Sequence, residues 1–248
     1  MAQNNKKIGV IPAQAGIQAP RCAAGKVRVM DPSLRWDDAM LGFAFVAVII
    51  SFLFLYPVGQ SYAQDEKIAA EAAKILQVQA DDIILGDANA PVTLIEYASF
   101  SCSHCAEFQT DMLPVLKEKY ITTGKLKLVF RSFTRNAQDI KATALVACVE
   151  GNEKKEKFIS TLLKSIDKWA AHTDFQDKLK KIAKIGGLKE EKFDACMEDK
   201  KLEDKILKSR LDATNVLKVE ATPTLFINGK KVTDRTPAGL TKQIYSLL

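Results

Sequence analysis

The sequence predicts an α/β domain with an inserted helical subdomain. Two apolar runs, 92–98 and 125–133, flank a helical pattern, so strand, helix and strand follow one another as in a βαβ unit. The next block, about 139–217, has helical periodicity throughout. A strand at 224–227, an Asn-Gly turn and a short strand at 230–232 then form a hairpin signal. The helical block therefore interrupts a sheet that resumes after it.

The elements before the insertion follow from periodicity and turn residues. A helix is predicted over 65–78, where apolar residues recur on one face, and a short strand over 83–85. A turn cluster that ends at Pro91 leads into the strand 92–98. The next helix starts near Cys102, and Pro114 should kink it because an interior proline removes a backbone hydrogen bond.

The inserted block and the C-terminus read as a series of helices. Apolar residues from Phe158 to Trp169 recur at three- and four-residue spacing, which predicts one continuous helix with a wide buried face. The following helix should end at Gly186 and Gly187. In the strand at 125–133, Leu126, Leu128 and Phe130 alternate against Lys127 and Val129, which is the two-residue period of a strand. The last helix is expected over 237–247.

The first 63 residues differ from the rest. Residues 1–39 are poor in large apolar side chains and lack periodicity, so we expect an unstructured segment, and Met30 and Met40 are alternative starts. Residues 40–63 form either a signal peptide or a membrane anchor. Their uncharged run 40–56 is long for a signal peptide and slightly short for a membrane span, and small residues end the segment at Ala63, as a signal peptidase requires. A buried core helix is a third reading.

Composition limits the partners. The chain carries 36 Lys and Arg against 30 Asp and Glu, a net charge of +6, and 47% hydrophobic residues suffice for a core. Charges of both signs are scattered along the predicted helices, as on solvated helix faces. Nucleic-acid binding would need basic residues clustered with aromatic ones, so we predict no nucleic-acid partner.

The chemistry centres on a C-x-x-C pair, Cys102 and Cys105, between the strand 92–98 and a helix. Backbone N–H groups at a helix start lack intrahelical partners and carry partial positive charge, so they favour a thiolate. Cys102 should therefore be the nucleophile and Cys105, one turn later, the resolving thiol. The imidazole of His104, especially when protonated, should stabilise the thiolate further and make the disulfide a stronger oxidant.

Two other interpretations of this pair are an inert structural disulfide and half of a zinc site. Zinc usually needs four protein ligands. The sequence contains no second C-x-x-C and one further histidine, His172. We therefore predict redox chemistry, with no metal and no organic cofactor.

Two further features are expected to meet at the dithiol. Glu96 lies in the middle of an apolar strand, where burial would raise its pKa and let it exchange a proton with Cys105. The alternative is an exposed strand residue that faces solvent. Thr222 and Pro223 precede the strand 224–227, and a cis proline there would expose the Thr222 backbone to an extended substrate chain.

In combination these motifs resemble the DsbA-like thiol:disulfide oxidoreductases of the thioredoxin superfamily, over about residues 80–248. The resemblance implies a thioredoxin fold with an inserted helical subdomain, so that 64–248 forms one DsbA-like domain. It also implies a periplasmic monomer that oxidises cysteines in unfolded or newly exported proteins and is reoxidised by a DsbB-like membrane quinone reductase. The protein would be soluble after cleavage near Ala63 or anchored in the inner membrane through about 40–56. The implied roles are the nucleophile Cys102, the resolving Cys105, the tuning residue His104, the acid Glu96 and the cis proline Pro223.

The chain departs from the best-known members at two positions. They have proline in place of Ser103 and valine in place of Thr222, and both positions affect redox potential and substrate release. Threonine before the cis proline also occurs in related isomerases. A disulfide isomerase or a reductase is therefore the nearest alternative, although residues 64–80 are too few for the added dimerisation domain of isomerases. An alternative of another class is a metal-binding or chaperone-like module whose thiols hold zinc or copper.

Cys148 and Cys196 are candidates for a structural disulfide. Four of the five cysteines lie in 64–248, and an even number in an oxidising compartment suggests two pairs. Both residues lie in the helical block on apolar stretches, and a bridge between them would close a loop of about 50 residues. The alternative is two buried free thiols.

Overall fold

The computed structural model describes residues 58–248. The predicted unstructured segment and the apolar run 40–56 lie outside them. Helix α1 (Val58–Ile75) begins and ends earlier than predicted, and the candidate cleavage site after Ala63 falls inside it. The carbonyls of Ile75 and Gln77 accept hydrogen bonds from Arg131 at 2.6 and 2.7 Å, which accounts for the early end of the helix. None of the helices in the described part of the chain is long and apolar enough to span a membrane.

The sheet has the interrupted order that the sequence predicts. Its strands are β1 (Ile83–Leu85), β2 (Val92–Ala98), β3 (Leu126–Ser132), β4 (Thr224–Ile227) and β5 (Lys230–Lys231). They lie in the order β1-β3-β2-β4-β5, with β2 parallel to β3 and the other neighbouring pairs antiparallel. The β2-helix-β3 unit therefore forms the centre, and the hairpin that follows the insertion extends the sheet beyond β2.

The hairpin turn confirms the Asn-Gly signal. Asn228 and Gly229 have φ values of 45° and 81°. Positive φ at both central residues is what a type I′ turn requires, and its twist matches that of the flanking strands. Phe226 and Ile227 consequently pair with Lys231 and Lys230.

Both faces of the sheet are covered. Leu94 lies on one face, in an apolar cluster with the helix that follows the dithiol and with the last helix, α9 (Pro237–Tyr245). Ile95 lies on the other face, packed towards α1. Val129 of β3 is fully buried on this second face as well, so β3 is covered on both sides.

The helix after the dithiol, α2 (103–121), is irregular. Its first α-helical segment, Ser103–Glu107, is followed by a π-helical segment, Phe108–Met112, in which Leu113 N–H donates to the Phe108 carbonyl five residues earlier. Pro114, which lacks an N–H, follows at the start of the α-helical segment Leu113–Leu116. The departure from regular α-helix that Pro114 predicts thus lies in the turn before it, and a second π-helical segment, Lys117–Ile121, ends α2.

The insertion is helical, as predicted, but one of its helices is broken. Ser165 has non-helical backbone angles and separates two helices. The indole N–H of the buried Trp169 donates to the Leu162 carbonyl at 2.9 Å across this break. The prediction of one helix from Phe158 to Trp169 is therefore wrong. The insertion contains α3 (Ala137–Ala147), α4 (Asn152–Lys164), α5 (Ile166–Trp169), α6 (Phe175–Ile185), α7 (Glu190–Glu198) and α8 (Lys200–Asn215).

The core of the insertion reaches the dithiol. Phe158 and Trp169 belong to one apolar cluster with Phe100 and Cys105. A disulfide joins Cys148, at the end of α3, to Cys196 in α7, with 6.3 Å between their Cα atoms. The helices that carry this bridge therefore pack in the same core as the resolving cysteine.

Candidate active site

Cys102 occupies the N-cap of helix α2. Strand β2 ends at Ala98, a short turn follows, and Cys102 has the extended backbone angles of a cap, φ −105° and ψ 118°. Its N–H donates to the Ser99 carbonyl at 3.2 Å, and its own carbonyl accepts from the N–H groups of Cys105 and Ala106, each at 3.1 Å. The sulfur is thus placed at a helix start, where the sequence predicts it.

The environment of Cys102 strongly favours its thiolate. A hydrogen bond from the Cys105 side chain is the largest contribution that lowers the pKa of Cys102, to about 4. Hydrogen bonds from the Thr222 side chain and the backbone N–H groups of Cys105 and His104 lower it further, and burial opposes them. Cys102 therefore behaves as an anion at neutral pH in the reduced protein.

Cys105 is shifted in the opposite direction. The hydrogen bond with Cys102, burial and the charge of Glu96 raise the pKa of the Cys105 thiol well above its usual range. Cys105 is fully buried, whereas 5% of Cys102 is exposed, and both are free cysteines in this structure. The difference in pKa and exposure makes Cys102 the nucleophile of the pair.

Glu96 lies beneath the dithiol. Only 1% of it is exposed, so the alternative of a solvent-facing strand residue is wrong. It shares the β2 face with Leu94, the face on which helix α2 packs. Burial and, to a smaller extent, the charge of Cys102 raise the pKa of Glu96 to about 8. Its Oε1 atom has no hydrogen-bond partner among the described residues, so the carboxyl group is available for proton exchange near neutral pH.

The loop before β4 completes the site. The Thr222–Pro223 peptide bond is cis, and the Cys102 thiol donates to the Thr222 carbonyl at 3.4 Å. The Thr222 hydroxyl is buried and has no other hydrogen-bond partner among the described residues, so the Cys102 thiolate is the group to which it donates. Arg235 donates to the Pro223 carbonyl at 2.6 Å and so links the loop to the segment after β5. Residues far apart in sequence therefore meet at Cys102, as predicted.

The structure separates the two parts of His104. Its backbone N–H contributes to the low pKa of Cys102, while its side chain is exposed and its imidazole makes no hydrogen bond to other described residues. Tuning by the imidazole therefore stays a prediction.

Asp139 was not singled out by the sequence analysis. It is fully buried and accepts hydrogen bonds from the turn that precedes Cys102. Its signal in the sequence is weak, because an aspartate in the first turn of a helix is common. Within residues 58–248, no group of three or more His, Cys, Asp or Glu side chains is arranged to hold a metal ion.

Comparison with known proteins places these features in a family. A model of the thioredoxin family matches residues 79–246. A relative from Rickettsia bellii, provisionally named a protein-disulfide oxidoreductase, is 31% identical over 153 residues, which is 62% of this chain and 59% of the relative. Disulfide bond formation protein D of Bacillus subtilis is 24% identical over 156 residues, covering 60% of this chain and 68% of that protein.

The fold is similar to a solved DsbA structure. The crystal structure of alpha-DsbA1 from Wolbachia pipientis is similar with a TM-score of 0.66 and 35% sequence identity, over 71% of this chain and 95% of that one. The chain spans 55 to 63% of the length of its relatives from Rickettsia bellii, Rickettsia typhi and Rickettsia felis. The chain therefore belongs to the thioredoxin family, and it is DsbA-like in sequence and in fold.

Proposed function

We propose that this protein is an exported thiol:disulfide oxidoreductase that introduces disulfide bonds into other proteins. The observation that carries the proposal is the pair of opposite pKa shifts, down at Cys102 and up at Cys105. Stabilisation of the Cys102 thiolate lowers the free energy of the reduced protein relative to the oxidised protein. The disulfide form is then a strong oxidant, because its reduction is favourable. The site is therefore suited to take electrons from substrate thiols.

The proposed reaction is two successive exchanges. A substrate thiolate attacks Cys102 of the Cys102–Cys105 disulfide, forming a mixed disulfide and releasing Cys105 as a thiolate. A second substrate thiolate then attacks the substrate sulfur of the mixed disulfide, which breaks the bond to Cys102 and releases the Cys102 thiolate. The substrate leaves with a new disulfide, and the enzyme holds the two electrons as a reduced dithiol.

Glu96 and the Thr222 loop have distinct roles in this proposal. The released Cys105 thiolate takes up a proton readily, because the pKa of Cys105 is raised, and Glu96 is the nearby acid that supplies it. The substrate chain lies along Thr222 and Pro223, where a backbone carbonyl accepts a substrate N–H. His104 tunes the thiolate as an additional cation when it is protonated.

The proposed export depends on residues that lie outside the described part of the chain. Residues 40–63 direct residues 64–248 to the periplasm, either as a signal peptide cleaved after Ala63 or as an inner-membrane anchor. The substrates are unfolded or newly exported proteins with free cysteines, and the enzyme acts as a monomer. A DsbB-like membrane quinone reductase accepts the electrons and restores the disulfide.

The redox potential of the dithiol tests the direction of the reaction. The purified protein is equilibrated with graded glutathione buffers, and the reduced fraction of Cys102 and Cys105 is measured by alkylation and mass. A potential of about −120 mV supports an oxidase, whereas about −270 mV would replace the oxidase with a reductase. A Cys105→Ala variant, with Cys102 first joined to glutathione as a mixed disulfide, should in addition form a mixed disulfide with a reduced substrate protein and release reduced glutathione. Metal bound at one equivalent without turnover would favour the metal-binding alternative.

A further inference from the structure

Asp139 is a buried carboxylate that the proposed exchange reaction does not use. Its Oδ2 atom accepts from the Ser99 hydroxyl and from the Arg135 N–H, each at 2.8 Å. Its Oδ1 atom accepts from the Ser101 N–H at 2.8 Å. Asp139 is 0% exposed and forms no salt bridge with another described residue. These hydrogen bonds therefore satisfy both oxygens of a side chain that is removed from water.

The contacts of Asp139 join two parts of the fold. Asp139 lies in the first turn of α3, the first helix of the insertion, whereas Ser99 and Ser101 lie in the turn between β2 and Cys102. The N-cap residue Asn136 reinforces the link, because it accepts from the Asp139 N–H at 2.9 Å and donates to the Ser101 hydroxyl at 3.1 Å. Two side chains at the start of the insertion, Asp139 and Asn136, are therefore hydrogen-bonded to the turn 99–101.

The turn 99–101 determines the position of Cys102. The Cys102 N–H donates to the Ser99 carbonyl, so Ser99 is held by Asp139 on its side chain and by Cys102 on its backbone. The donors that stabilise the Cys102 thiolate belong to helix α2 and to the Thr222 loop. Hydrogen bonds weaken steeply with distance and angle, so a displacement of the turn changes how these donors meet the sulfur.

We propose that Asp139 is a positioning residue of the dithiol, which holds the turn 99–101 from the first helix of the insertion and thereby places the Cys102 sulfur among its donors. The inference rests on the thiol chemistry proposed above but not on its direction. It gives the insertion a part in the redox chemistry in addition to covering the site.

The variant Asp139→Asn tests this role. An amide replaces one acceptor oxygen by an NH2 group, which then faces an N–H or O–H donor of the turn. We expect the pKa of Cys102, followed through the ultraviolet absorbance of its thiolate, to rise by about half a unit or more. The equilibrium constant for oxidation of glutathione by the protein should fall about threefold or more, because a pKa rise of about half a unit corresponds to a factor of about three in an equilibrium constant.

Asp82→Asn is the matched control. Asp82 is another buried carboxylate, paired with Arg131 on β3, and its replacement should lower stability while the pKa of Cys102 stays as in the wild type. If Asp139→Asn also lowers stability and leaves that pKa unchanged or lowered, Asp139 has only a structural role and the inference is wrong.

If the Asp139→Asn variant does not fold, two less disruptive serine-to-alanine variants test the same role. Ser99→Ala removes one of the three donors to Asp139 and should raise the pKa of Cys102 in the same direction by a smaller amount. Ser165→Ala removes a different hydroxyl hydrogen bond of the insertion, to the Thr161 carbonyl of α4, and should leave the pKa of Cys102 unchanged. Equal values for the two variants would overturn the inference. A reducing potential in the wild type would overturn the oxidase proposal alone, because the comparison of variants does not depend on it.

Discussion

The Cys102 thiol donates a hydrogen bond to the carbonyl oxygen of Thr222, 120 residues away in sequence, across 3.4 Å. A thiolate has no proton to donate, so ionisation of Cys102 frees this carbonyl. A free carbonyl beside the reactive sulfur is an acceptor for the backbone N–H of an extended chain. Ionisation of Cys102 therefore both activates the sulfur and opens a binding position next to it.

Replacement of Cys105 by alanine should raise the pKa of Cys102 by more than about one unit, because the Cys105 side chain contributes most to its low value. The pH dependence of thiolate absorbance measures the change. Cys105→Ser is the matched control, since a serine hydroxyl still donates to the thiolate and should preserve most of the effect. Identical titrations of the two variants would contradict this assignment.

Replacement of Glu96 by glutamine should stabilise the oxidised protein most at high pH. The pKa of Glu96 is raised to about 8, mainly by burial. Below that value the folded protein keeps a proton that the unfolded chain has already released, so the penalty for burying Glu96 grows as pH rises from about 4.5 to about 8.

Urea unfolding of the oxidised protein measures this effect. The advantage of Glu96→Gln should increase by about 1–4 kcal/mol between about pH 5 and about pH 8. Glu107→Gln, which changes an exposed carboxylate of helix α2, should follow the wild type at both pH values. A stability difference that does not change with pH would show that Glu96 is already ionised in the folded protein.

The double variant Cys148→Ser and Cys196→Ser should lower the stability of the protein by about 4 kcal/mol, because the bridge closes a loop with a sequence separation of 48. Chemical unfolding of the oxidised wild type and variant gives the difference. A count of alkylatable thiols in the denatured, unreduced wild type is the control. Two reactive thiols beyond Cys102 and Cys105 would refute the bridge.

Replacement of Asp82 by asparagine should destabilise the protein by about 3–5 kcal/mol, because it leaves the buried guanidinium of Arg131 without its counter-ion. Arg131 also donates to the Ile75 carbonyl, so the end of helix α1 should loosen. Hydrogen exchange over residues 64–78 should show lost protection. Asp81→Asn, at the exposed neighbour, is the control, and equal effects of the two variants would contradict the role of the buried pair.

Features that depend on local chemistry were predictable from the sequence. The strand that leads into the Cys102 helix, the Asn228-Gly229 turn and the helical character of the insertion follow from periodicity and turn residues. The burial of Glu96 follows from its apolar neighbours, although only the structure excludes the exposed alternative.

Features that depend on distant partners were not predictable. The break at Ser165 depends on where Trp169 finds an acceptor for its indole N–H, and the apolar spacing around it fits an unbroken helix equally well. The role of Asp139 depends on contacts with Ser99 and Ser101 that span about 40 residues and two elements. A single sequence does not indicate which turn a buried carboxylate will reach.

The unequal exposure of the two active-site sulfurs limits how the protein can exchange electrons. Cys105 is fully buried, so any protein that gives or takes electrons must form its bond with Cys102. The donor and the acceptor consequently compete for the same atom and the same loop, and they must bind in turn. A catalytic cycle of this kind follows ping-pong kinetics, in which the first product leaves before the second protein binds.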